Sequence, residues 1–284
     1  MTGRSFLEQF TISRFNELLK KLLLLNKVIY QQRYIIRKLV ARDFQKKYLS
    51  TYLGMVWAFL NPLAYILTIW FVVSIGLRSG ERAGYALLPW LVSAMIPWFF
   101  IRDGLSNAAG SLVDYSFLIK KMYFRVGIIP LIKLFTVLII HLFMLVVLIV
   151  VMVLYGFYPT IYWIQIPYYL LCALVLLIGM GWLTSALMVF VRDIKQTIDV
   201  FNNLFFWLTP IIWPHERLTG TKRLLVDLNP FFYITNGYRE TFLHGKWFFE
   251  QVNLTIYFWC VAIFFFVVGA IVFQKLKPHY ADVL

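Results

Sequence analysis

The stretch LFTVLIIHLFMLVVLIVVMVLYGFYPTIYWIQIPYYLLCALVLLIGMGWLTSALMVFV, Leu134 to Val191, decides the fold. Its 58 residues contain no Asp, Glu, Lys or Arg. A crossing helix needs about 20 apolar residues, so the stretch holds two crossings and a turn. The turn is legible at Tyr155-Gly156-Phe157-Tyr158-Pro159. The sequence therefore predicts a hairpin of two transmembrane helices, near 132–154 and 163–190.

Working outward, Leu53–Leu77, Ala83–Ile101 (with Pro89 and Pro97 inside) and Val252–Phe273 are also free of charge. Val200–Pro214 is uncharged but has only 15 residues and ends in Thr209-Pro210-Ile211-Ile212-Trp213-Pro214. A weaker apolar stretch, Leu224–Tyr238, carries Asp227, Asn229, Pro230 and Gly237. Short apolar segments broken by Pro and Gly fit re-entrant elements, whose backbone survives only where protein or a wet cavity satisfies it. The alternative is an extramembrane loop with apolar packing. Composition agrees with a membrane protein: 61% of residues are hydrophobic, 19% aromatic and 14% charged. That excludes a soluble globular domain, a disordered chain and a disulfide scaffold. Cys172 and Cys260 lie in apolar runs and read as buried free thiols.

The expectation is an all-α membrane protein of six spans, near 53–77, 83–101, 132–154, 163–190, 200–214 and 252–273. They make up a transmembrane domain over 51–274, between a basic segment at 1–50 and a tail at 275–284. The net charge of +14 would suggest nucleic acid in a soluble protein. In a membrane protein it reads as topology: twenty Lys and Arg fall on the side of the termini and seven on the other, which puts both termini in the cytoplasm. The N-terminus has no signal-peptide pattern. Leu18, Leu22, Leu25 and Ile29 fall at helical spacing with Lys20, Lys21 and Lys27 elsewhere, which describes an amphipathic interface helix or a solvated basic arm.

Several chemistries lack their residues. There is no GxxxxGK[ST] phosphate loop, HExxH or CxxC. His141, His215, His244 and His279 are scattered without metal-ligand spacing, and His141 reads as a packing group. Gly104-Leu105-Ser106-Asn107-Ala108 lacks the final glycine of a nucleophile elbow. No chain of intramembrane carboxylates marks an ion path, which disfavours an ion- or proton-coupled transporter and points most simply to a partner as the energy source. Two cytoplasmic loops could receive it. Ser111–Phe124, SLVDYSFLIKKMYF, fits a short helix lying along the membrane, and Arg192-Asp193-Ile194-Lys195-Gln196 is a compact charged turn. Both are equally readable as ordinary topogenic loops.

The segments YLGMVWAFLNPL (Tyr52–Leu63), IPWFF (Ile96–Phe100), LIKKMYF (Leu118–Phe124), VRDI (Val191–Ile194) and NPFFYITNGYRETF (Asn229–Phe242) occur in an order that resembles type-2 ABC exporter permeases of polysaccharides. The likeness runs from about residue 40 to the C-terminus. GYRETFLHGKWFFE (Gly237–Glu250) looks like the branch that translocates teichoic acid, and O-antigen and capsule exporters share the fold. The resemblance implies a multi-pass protein of the bacterial plasma (inner) membrane, working as a homodimer with two ABC ATPase subunits. ATP and Mg would sit on those partners; this chain would hold no cofactor, no metal and no catalytic residue. The implied substrate is a glycopolymer on an undecaprenyl diphosphate anchor, moved outward among membrane lipids, with no nucleic acid involved.

The resemblance also assigns roles. Tyr115, Ser116, Lys120, Lys121 and Tyr123 would meet the ATPase, with Arg192 and Asp193 as a secondary contact. Arg37, Lys38, Arg42, Lys46 and Lys47 either attract the lipid diphosphate or only orient the chain. Sugar rings stack on aromatic faces, so the path candidates are Trp57, Asn61, Tyr65, Trp70, Trp98, Phe99, Phe205, Trp207 and Trp213, each of which could instead face lipid. The rival readings are an O-antigen or capsule exporter, a lipid-linked sugar transferase and a channel.

Overall fold

Leu87–Asp114 forms one continuous helix, and every residue from Pro89 to Ile101 on it is buried. The chain is arranged around that helix. It is known from a computed structural model, which describes residues 31–48, 54–76, 81–82, 84–121, 125–216 and 218–284. The Leu18–Ile29 segment expected to be amphipathic lies outside the described residues, as does Tyr123.

The helices in chain order are α1 (Arg33–Tyr48), α2 (Trp57–Phe71, prolonged by a wider turn over Val72–Gly76), α3 (Leu87–Asp114), α4 (Ser116–Lys121), α5 (Ile129–Leu154) and α6 (Ile166–Phe190). There follow α7 (Ile194–Leu208), α8 (Gly220–Asp227), α9 (Pro230–Arg239), α10 (Val252–Leu276) and α11 (Tyr280–Val283). The extended backbone among the described residues is a two-residue pairing before α3, Glu81 with Ala86 and Arg82 with Tyr85. The protein is all-α.

The predicted hairpin is α5 and α6. Pro130 starts the first and Pro167 the second, where a missing N–H costs nothing. At the turn Gly156 takes φ 84°, a left-handed value open to glycine, and the Phe157 N–H closes back on the Met152 carbonyl at 2.9 Å. Around α3 pack α5, α6, α9 and α7, while α10 lies along the far side of α6. The α6–α10 contact is backbone on backbone: a Cβ on Gly179 would stand 2.5 Å from the Phe266 nitrogen, and one on Gly269 would collide with the Gly179 carbonyl. In lipid no hydrophobic gain separates helix from bilayer, so small residues that allow close approach supply the attraction. Cys172 is buried as expected, whereas Cys260 faces outward from α10 because it sits opposite that seam.

Among the described residues four stretches are long and apolar enough to cross a membrane: Trp57–Gly76, Val126–Leu154, Ile161–Phe190 and Phe248–Val283. The expected second and fifth spans differ from these. The second does not stop at 101 but runs on through Arg102 and Asp103 to Asp114, 28 residues or about 42 Å of helix, because other helices rather than lipid surround it. The short helix expected from Ser111 begins only at Ser116 for the same reason. The fifth starts earlier than 200 and has 15 residues, about 22 Å, ending where Thr209-Pro210 cannot continue it. The chain then passes through two further short helices, α8 and α9, before α10.

Gly179→Leu should cost roughly 3 kcal/mol or more, since the clash is with backbone and no rotamer relieves it. Thermal unfolding of the detergent-purified protein measures this; an unchanged midpoint would refute the close-packed seam.

Candidate functional site

A cavity of about 350 Å³ opens between α2, α3 and α5. Trp57, Asn61 and Tyr65 come from α2, Phe99, Phe100, Arg102 and Asp103 from α3, and His141 from α5. The residues of α2 recur every three or four positions, which puts them on one face. A second cavity of about 340 Å³ lies between α3 and α7, bordered by Trp98, Ser106, Asp199, Asn202 and Phe206. The two share Tyr65, Arg102 and Asp103, so they form one cleft along α3.

Its walls are largely aromatic. The Tyr65 ring meets Phe99 at 5.7 Å and Phe206 at 6.0 Å, both edge to face. Arg102 Nε donates to Asp103 Oδ1 at 2.8 Å, and its guanidinium lies 5.1 Å from the Phe99 ring centre. Midway along a 28-residue helix, such a charge persists only if paired and turned toward a cavity. Asn202 Nδ2 donates to Ser106 Oγ at 2.9 Å and ties α7 to α3. His141 is buried, within 3.0 Å of the Tyr238 hydroxyl, with its ring against Phe100.

Of the sequence candidates for the path, Trp57, Asn61, Tyr65 and Phe99 line the first chamber, and Trp98 and Tyr65 the second. Trp98 is only 1% exposed. The other four stand away from the cleft. Trp70 is half-buried against the core, and Phe205 packs on Phe201 and Phe231 at 4.1 and 5.3 Å. Trp207 is exposed on the outer face of α7, and its carbonyl accepts the Trp213 indole N–H at 3.0 Å. Arg102, Asp103, Asp199 and Asn202 were not candidates. Arg102-Asp103 ends an apolar run and reads as the start of a loop, so no signal in the sequence pointed to it.

At the end of α3 a polar knot joins three helices. Lys133 of α5, 8% exposed, donates to Asp43 of α1 at 2.7 Å and to Asp114 of α3 at 2.9 Å. The Tyr115 hydroxyl donates to Asp43 at 3.2 Å. Burial, and then the Asp43 charge, hold the Tyr115 phenol well above its usual range, so it stays a donor. Tyr115 is the single residue between α3 and α4, which in turn rests against α11. On α4, Ser116 is half-buried and Lys120 exposed; the Lys121 side chain lies outside the description. Arg192 and Asp193 are exposed in the turn before α7.

The basic candidates Arg37, Lys38, Arg42 and Lys46 are exposed on α1, while Ile36 and Val40 bury against Ile128 and Ile132. The side chain of Lys47 lies outside the described residues. This basic face is separate from the cleft.

At the other end Arg239, 1% exposed, holds the turn after α7. Its Nη1 donates to the Pro210 carbonyl at 2.9 Å and its Nη2 to Ile211 at 3.1 Å, and the guanidinium stacks 3.7 Å over Trp90 of α3. Asn229 Nδ2 donates to Thr209 Oγ1 at 2.8 Å, and its Oδ1 caps α9 by accepting the Phe231 N–H at 3.0 Å. The short helices are thus pinned to α3 by side chains that satisfy a broken backbone.

The profile of the family described as ABC-2 type transporter matches residues 34–243. An O-antigen export system permease protein RfbA of Klebsiella pneumoniae is 26% identical over 262 residues, which cover 91% of this chain and 99% of the relative. A second from Klebsiella pneumoniae is 24% identical over 262 residues, with the same coverage. One from Myxococcus xanthus is 23% identical over 224 residues, 77% of this chain and 84% of the relative.

Lys133→Met should destabilise the protein by about 3–5 kcal/mol, because it leaves the Asp43 carboxylate buried and unpaired. Asp43→Asn should cost less, since Lys133 keeps Asp114. Melting curves of the two variants and the unmodified protein check this: equal variant midpoints would refute the order, and midpoints unchanged from the unmodified protein would show that the knot carries no stability.

Proposed function

This chain belongs to the ABC-2 type transporter family, and we propose that it is the permease subunit of an ATP-driven exporter of a lipid-linked polysaccharide of the O-antigen type. It works in the plasma membrane with both termini in the cytoplasm, as two copies joined to two ABC ATPase subunits that bind ATP and Mg. The observation that carries the reading is the aromatic-walled cleft along α3, where the exposed rings of Trp57 and Tyr65 offer faces to sugars and Phe99 backs the wall. The relatives are O-antigen export permeases, which favours O-antigen over the teichoic acid expected from Gly237–Glu250; teichoic acid stays as the second reading.

The mechanism follows from connectivity. Nucleotide binding draws the ATPases together and presses on α4, where Ser116 and Lys120 meet them, with Lys121, Tyr123, Arg192 and Asp193 around that contact. One residue separates α4 from α3, so a push on α4 moves the helix that forms the cleft wall. The Lys133 knot transmits the same displacement to α1 and α5. The exposed basic face of α1 draws the anionic lipid diphosphate to the inner surface. Outward apolar residues of α2 and α7, such as Leu67, Phe71, Leu204 and Trp207, meet the second copy or lipid.

Purification from membranes should recover an ATPase, and proteoliposomes of the pair should move lipid-linked glycan only with ATP. Movement without a partner would leave a channel in its place. Lys120→Glu with Lys121→Glu should keep the chain in the membrane and cut transport per ATP by roughly tenfold, the worth of one charged contact of about 1.5 kcal/mol. Undiminished export by that variant would overturn the coupling role.

A further inference from the structure

The charges on the cleft walls carry information about the polymer. Among the described residues, three side chains charged at neutral pH border the two chambers: Arg102, Asp103 and Asp199. The one cation among these three is already engaged. Arg102 Nε is bonded to Asp103 at 2.8 Å, and its guanidinium rests over the Phe99 ring. Asp199, exposed on α7, then leaves the second chamber with a net negative charge. The remaining polar groups, such as Asn61, Ser106 and Asn203, are neutral.

A polymer with a phosphate in every repeat would have to pass two carboxylates with one paired arginine to offset them, and like charges set together are penalised most strongly where water is scarce. An uncharged sugar finds the opposite. Its hydroxyls can donate to Asp103 and Asp199 and accept from the guanidinium nitrogens that Asp103 leaves open, while its apolar ring face lies on Tyr65 or Trp57, both exposed to the cleft.

We infer that this cleft is a binding site for uncharged hexose repeats and that Asp103 and Asp199 select against polyol-phosphate polymers. The inference deepens the exporter reading and rests on it. The one diphosphate at the lipid end is met elsewhere, by Arg37, Lys38, Arg42 and Lys46 on the exposed face of α1.

The test uses the chain together with its ATPase partner in lipid nanodiscs. Two probes share an undecaprenyl diphosphate anchor and a length: an oligomer of uncharged hexoses and an oligomer of glycerol phosphate. The hexose probe should bind about tenfold tighter, the scale set by one unfavourable charge contact. Asp103→Asn with Asp199→Asn should tighten the glycerol phosphate probe and weaken the hexose probe, so that the preference closes. Asp199→Asn alone, at an exposed position that folding tolerates, should narrow the ratio by about threefold. Equal or tighter binding of glycerol phosphate by the unmodified protein, or a ratio unmoved in both variants, overturns the inference. ATP-dependent transport of both probes in proteoliposomes separates the two readings. Transport with no preference defeats the selectivity alone. Preferential binding without ATP-dependent transport supports the site and defeats the exporter reading.

Discussion

A helix that carries an ion pair at its midpoint cannot face lipid, and the rest of this structure depends on that constraint. Arg102 and Asp103 stand midway along α3, and a charge in hydrocarbon is tolerated only when paired and turned toward protein or a wet cavity. α3 is therefore enclosed by α5, α6, α7 and α9, and its Pro89–Ile101 stretch is buried on every side. The pair emerges into the cleft that α3 shares with α2, α5 and α7.

The buried polar groups at the two ends of α3 serve a different purpose. Lys133 with Asp43 and Asp114 at one end, and Arg239 with the Pro210 and Ile211 carbonyls at the other, all gave up water to reach their partners. Well-packed apolar groups could have held the same helices at similar or lower cost, so stability alone does not account for them. They do fix which residue meets which. An ammonium shared by two carboxylates has one register, whereas apolar helix faces can slide. In a bundle whose neighbours are as apolar as lipid, such contacts fix the register of α1, α3 and α5.

The polar staples also account for the unusual backbone after α7. Thr209-Pro210 interrupts a helix too short to cross, and the freed carbonyls would be costly in a dry setting. Arg239 supplies donors to two of them, and Asn229 bonds Thr209 while capping α9. The Pro- and Gly-broken pattern announced an irregular element at this place. It did not announce that the satisfying groups are Asn229 and Arg239, 20 and 28 residues beyond their partners Thr209 and Ile211.

Local chemistry repeats along a chain, and what repeats was legible. The uncharged run from Leu134 to Val191 determined the α5–α6 hairpin, because length and apolarity alone decide whether a segment can cross. The apolar stretches at α2 and α10 were legible for the same reason; that Trp57, Asn61, Tyr65 and Phe99 border one cleft came only with the tertiary structure. The end of α3 was misplaced at Ile101, since a charged pair after an apolar run is indistinguishable in sequence from the start of a loop. The seam at Gly179 and Gly269, the Asp43–Lys133 contact and the hold of Arg239 on Pro210 join residues distant in sequence. Which of them pair depends on how the helices are stacked, and only the tertiary structure decided that: a contact energy depends on distance in space, and apolar periodicity leaves the partner of each helix face undetermined.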